Sequence, residues 1–161
     1  MIQKKIRSLI YAGIGLVLCV LLCGGIGMTA QAEEETYNGF TYFYESWSDT
    51  ITISEYKGNK TEIVIPGEIK GKKVTKIGEL AFSGCKNLKS IIISKGVTWI
   101  SNQAFAGCSG LTSITMPDSI THISDAAFVG CSSLKSITMP KGVTSIAASM
   151  FESCSSLESV T

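Results

Sequence analysis

Histidine is almost missing from this chain: His122 is the only one. A nucleophilic thiol or hydroxyl that depends on an imidazole base would have to stand beside that residue, and a histidine-built metal centre is excluded. No two cysteines form a C-x-x-C pair, which removes the common zinc-finger and redox spacings. Charge is sparse as well, at 17% of residues, and nearly balanced. Three of the 14 basic residues precede Ala32 and all 13 acidic ones follow it. The remainder is close to −2, which leaves no electrostatic footprint for nucleic acid or anionic lipid. No phosphate-cradling glycine loop and no recurring carboxylate pair occurs, so the sequence offers no catalytic site. The three prolines are Pro66, Pro117 and Pro140.

Long apolar runs are confined to the start. Lys4, Lys5 and Arg7 precede an uncharged stretch from Leu9 to Cys23, then glycines and Ala30-Gln31-Ala32. Residues 1–32 read as a secretory signal with cleavage after Ala32. A retained anchor is the first alternative, since the uncharged stretch reaches Met28 and about 20 residues span a bilayer. Lipid attachment at Cys23 is the second, although Leu22 stands where a small residue is wanted. The 129 residues that follow suit one domain.

Within that domain a cysteine recurs every 23 residues: Cys85, Cys108, Cys131 and Cys154. Phe82, Phe105, Phe128 and Phe151 precede them by three positions, and Leu88, Leu111, Leu134 and Leu157 follow by three. A fixed period in the twenties marks a solenoid, in which each repeat buries its apolar side by stacking on the next. The alternating pairs Ile91/Ile93, Ile114/Met116 and Ile137/Met139 predict one short strand per unit with one face buried. Ser94, Pro117 and Pro140 end these strands. Ser101-Asn102 and Ser124-Asp125 are placed to cap backbone N–H groups, and Gly84, Gly107 and Gly130 to end a helical turn. The expected arc is therefore about one helical turn or irregular.

Residues 33–76 have a different grammar. Tyr42 and Tyr44 alternate in one run and Ile51 and Ile53 in another, joined by Ser46 to Asp49, which predicts a β-hairpin. Ile63 and Ile65 before Pro66 resemble the strand of a degenerate first unit, with five extra residues around Gly71. Residues 33–76 are thus expected to be a β-rich cap and residues 77–161 the array, with the last unit incomplete. The apolar flank of that last unit, through Leu157 and Val160, is expected to be open to self-association.

The repeated pattern Ile-x-x-x-Ala-Phe-x-x-Cys-x-x-Leu-x-x-Ile-x-Ile/Met-Pro-x-x-Val-x-x-Ile resembles the BspA-like branch of leucine-rich repeats of bacterial surface proteins. The likeness is strong over 77–161 and extends to about Tyr37. It implies a curved leucine-rich-repeat solenoid with short parallel strands, short helical or irregular arcs and an N-terminal β-hairpin cap, in proteins that act in adhesion or host-protein binding without catalysis. The chain departs from the general leucine-rich pattern, because Gly96, Ser119 and Gly142 stand where an asparagine or cysteine follows the strand.

Four equivalent thiols on stacked strands form a line about 14 Å long, not a tetrahedron, so zinc is not expected. Neighbouring thiols fall within bridging distance, but their parallel vectors favour buried free cysteines. His122 occupies a variable position between core residues and should face solvent. Candidate contact residues are the outward strand positions: Lys89, Ser90 and Ile92; Thr112, Ser113 and Thr115; Lys135, Ser136 and Thr138. Ile92, Thr115 and Thr138 form the middle ladder, and Trp99 lies on a different one. Hydroxyls also simply suit an exposed strand. The expected role is an exported, non-enzymatic binding module for an extracellular protein or glycan, with no cofactor. A structural spacer that stacks on another copy is the alternative.

Overall fold

The computed structural model describes residues 34–161. The secretory-signal segment 1–32, with its alternatives of retention and lipid attachment, lies outside the described residues.

The described residues begin with an antiparallel meander of β1 (Glu34–Tyr37), β2 (Phe40–Glu45) and β3 (Thr50–Tyr56). Asn38 and Gly39 join β1 to β2 with φ of 50° and 86°. An Asn-Gly pair with both angles positive fits the tight turn whose twist matches its strands. The expected hairpin is β2–β3, which buries Phe40, Tyr42, Ile51, Ile53 and Tyr56 on one face. Next come β4 (Glu62–Ile65), β5 (Glu68–Ile69) and β6 (Lys72–Ile77). The extra residues of the irregular first unit are the β5–β6 hairpin, turned at Lys70 and Gly71 with φ of 51° and 79°.

The repeats then contribute β7 (Ser90–Ile93), β8 (Trp99–Ile100), β9 (Ser113–Thr115), β10 (His122–Ile123), β11 (Ser136–Ile137) and β12 (Ser159–Val160). They fall into two parallel ladders where the sequence predicts one. The expected ladder is β4–β7–β9, followed by the pair β11–β12. The second runs β3–β6–β8–β10 and continues through β2 to β1, so the meander hydrogen-bonds directly into the solenoid. Its strands in the repeats are two residues long, too short to show any alternation in sequence.

Residue 82 and its equivalents make the spine of the core. Phe82, Phe105 and Phe128 are fully buried and stack with centroids 5.1 and 5.4 Å apart. The column extends to Phe151 at 5.9 Å and, through Tyr56 at 5.6 Å, into the cap. Each such pair adds about 0.5–1.5 kcal/mol beyond the area it buries. Ile77, Ile100, Leu88, Leu111, Leu134, Ile91 and Val97 line the same interior.

The expected helical turn is not formed: among the described residues no helix occurs, and the arcs are successive turns. Leu80, Gln103, Ala126 and Ser149 have φ between 52° and 58°, and Gly84, Gly107 and Gly130 between 65° and 71°. Two left-handed residues per arc cannot belong to a right-handed helix. The backbone groups pair between turns instead, Phe82 N donating to Ala104 O and Phe105 N to Ala127 O, both at 2.8 Å. The expected caps differ for the same reason. Asp125 Oδ1 accepts from Ala148 N in the next turn at 3.1 Å, while the Ser101 hydroxyl has no partner among the described residues.

Candidate interaction surface

The outward middle positions lie where the two-residue alternation puts them. Ile91 and Ile93 are buried on either side of Ile92, which is 46% exposed. Ile92 is in register with Thr115 on β9 and with Val64 on β4. Thr138, just past β11, is exposed one turn further on, its hydroxyl 3.2 Å from that of Thr161. Val64, 55% exposed, is a member of the row that sequence reasoning missed. The signal was present, because Val64 sits between the buried Ile63 and Ile65 as Ile92 sits between its neighbours. A groove of about 540 Å³ adjoins this apolar step, with Tyr37, Lys60, Glu62, Val64, Ser90 and Ile92 among its walls.

The flanking candidates share this side. Ser90 and Ser113 are in register, and Ser136 begins β11 at the equivalent place. Lys89, Thr112 and Lys135 are exposed immediately before their strands. Part of their polarity serves the fold: Thr112 donates both its N–H and its hydroxyl to Lys89 O, at 2.9 Å each. What remains free outward is a shallow band of hydroxyls and two ammonium groups beside one apolar step. It has no convergent polar centre.

Trp99 belongs elsewhere. On β8 it is in register with Lys76 on β6 and with His122 on β10. The indole and imidazole are stacked at 4.4 Å between centroids and 4° between planes, and Lys76 Nζ stands 5.7 Å from the indole centroid. His122 faces solvent, as its position implies, with Thr121 Oγ1 at 3.0 Å from Nδ1. Its pairing with Trp99 is invisible in sequence, because the residues are 23 apart on a ladder that no alternation announces.

The cysteines point inward. Cys108, Cys131 and Cys154 are buried, Cys85 is half-buried, and all four are free thiols. Cys108 Sγ donates to Phe82 O at 3.1 Å, Cys131 Sγ to Phe105 O at 3.3 Å and Cys154 Sγ to Phe128 O at 3.1 Å. Burial pushes the Cys108 thiol up to about 12 and raises the other three as well. A thiol held neutral in this way is a poor nucleophile and a poor metal ligand. No group of three or more His, Cys, Asp or Glu able to share a metal ion occurs among the described residues.

The family model of the BspA-type leucine-rich-repeat region matches residues 43–161 in six copies. This chain belongs to the BspA-type leucine-rich-repeat family. Solved relatives agree in fold. A leucine-rich-repeat protein of T. pallidum is 28% identical, with a TM-score of 0.67 over 80% of this chain and 71% of that one. A leucine-rich cell surface protein of Faecalibacterium prausnitzii is 31% identical, with a TM-score of 0.62 over 81% of this chain and 43% of that one. A leucine-rich-repeat protein of Bacteroides capillosus is 26% identical, with a TM-score of 0.70 over 79% of this chain and 96% of that one. No curated protein matches the chain. Family and fold make this BspA-type chain a repeat-based protein-interaction module, in which successive turns set equivalent outward residues side by side.

Proposed function

We propose that this BspA-type module acts outside the cell, without catalysis, by recognising an extracellular protein or glycan through the row Val64, Ile92, Thr115 and Thr138 and its flanks. The observation that carries the reading is the exposure of Ile92 in register with Val64, two adjacent apolar side chains turned to water on consecutive turns. Aligned residues on consecutive turns bind by area and repetition, which suits a face without a deep polar pocket. The surface location of the F. prausnitzii relative, as its name states it, supports an extracellular setting. The test is a screen of the purified protein against extracellular-matrix proteins, secreted proteins and glycans, repeated with Ile92→Asp, Thr115→Asp and Thr138→Asp combined. Binding lost in the triple variant supports the reading. Absence of any ligand, or binding that the variant leaves intact, overturns it.

A further inference from the structure

The ladder that carries Trp99 bounds a second cavity, on a different part of the molecule from the Ile92 row. Strand register aligns Glu34, Phe43, Thr52, Lys76, Trp99 and His122 in one row across six strands. Beside this row lies a groove of about 680 Å³, walled by residues of the meander and of the first turns. That volume is of the size that holds a side chain or small ligand. Its wall contains three carboxylates, Glu34, Glu55 and Glu79, against one ammonium, Lys76. Lys57 neutralises Glu55 at 2.9 Å and Lys76 sits against the indole, while Glu79 has no ion-pair partner among the described residues.

The groove floor carries a second and independent feature. Ser101 lines it and is only 8% exposed, yet its hydroxyl has no hydrogen-bond partner among the described residues. Alternation about the buried Ile100 sets Ser101 on the same side as Trp99. The matching position one turn earlier is Gly78, where a Cβ would come within 2.7 Å of Ile53 O, and one turn later it is Ser124. A buried hydroxyl without a partner is an exception that calls for a missing one.

We propose that this groove is a binding site for a basic segment of a protein partner, with an arginine or lysine side chain entering between Glu34 and Glu79. Carboxylates and hydroxyls make the wall rich in acceptors, and a guanidinium supplies five donors and needs no donor in return. A neutral glycan fits less well. Sugars want an open aromatic face, and both faces of Trp99 are taken, one by His122 and the other by Lys76. The site does not rest on the Ile92 row, so the two assignments stand or fall separately.

The chain contains two tryptophans, and Trp47, 85% exposed, is not part of this wall. Trp47→Phe in the full chain therefore leaves Trp99 as the sole indole reporter. Its emission is titrated with a blocked tri-arginine peptide and, separately, with a neutral N-acetylglucosamine trimer. A saturable change with the peptide is expected, weakened about tenfold or more in Glu34→Gln/Glu79→Gln and by about 0.5 M salt. Ser101→Ala is expected to weaken it as well, with the far-UV spectrum unchanged. No saturable change up to about 1 mM peptide overturns the proposal. So does a response to the saccharide alone, or a peptide response that neither the glutamine variant nor salt weakens.

Discussion

Cys131 donates its thiol proton to the carbonyl oxygen of Phe105, 26 residues earlier and 3.3 Å away. Cys108 does the same to Phe82 and Cys154 to Phe128. The side chain that looks most reactive in the sequence is thus a rung between turns, lying next to the phenylalanine column that it helps to align. A small, buried residue with a weak donor suits this place better than serine, whose desolvation is larger, or alanine, which offers no donor.

The phenylalanine column joins turn to turn through the core. Phe105 stacks on Phe82 at 5.1 Å and on Phe128 at 5.4 Å with no exposure to solvent. Phe105→Ala is expected to lower the unfolding free energy by about 3–5 kcal/mol, read from denaturant midpoints. Ile92→Ala, on the outward row, is expected to stay within about 0.5 kcal/mol of the parent.

The left-handed residues predict a reversal of the usual glycine effect. Gln103 is exposed at φ 53°, where a Cβ is strained. Gln103→Gly should therefore leave stability unchanged or raise it by up to about 1 kcal/mol in thermal or urea unfolding, although glycine elsewhere weakens a fold. Gly107 has φ 65°, and a Cβ placed there would meet only the Gly84 backbone, at 3.8 Å, so Gly107→Ala should cost only the conformational strain.

Alkaline conditions should weaken the fold through the same thiols. Burial holds the Cys108 proton up to about 12, whereas a cysteine in the unfolded chain ionises near 8.5, so between these values the folded state binds the extra proton. Stability from this group is fully present below pH ~8.5 and is lost as pH rises toward its folded value. Urea midpoints at about pH 8 and pH 10 should differ more in the parent than in Cys108→Ala, by about 1–2 kcal/mol in unfolding free energy.

Much of the architecture is legible in the residues, and what is not has a physical reason. Ile91 and Ile93 bracket Ile92 in an alternation long enough to reveal a strand and its outward face, and the cap hairpin is visible through Tyr42, Tyr44, Ile51 and Ile53. Trp99–Ile100 and His122–Ile123 are two-residue strands, made by register with neighbours 23 residues away and not by local pattern. The groove beside Trp99 is hidden for that reason, since Glu34, Glu79 and Ser101 meet only once the second ladder forms. The helical arc fails as an expectation because Leu80, Gln103, Ala126 and Ser149 share no residue type that announces a left-handed backbone.

The repeat cysteines are free thiols turned into the core, and Cys108, Cys131 and Cys154 tie each turn to the one before it. Site-resolved alkylation of the native protein with iodoacetamide, mapped by peptide mass, tests this arrangement most directly. Half-buried Cys85 should label first, with Cys108, Cys131 and Cys154 protected until denaturant unfolds the chain. Labelling of Cys108 or Cys131 in the folded protein, or a disulfide joining any of the four, would contradict the account.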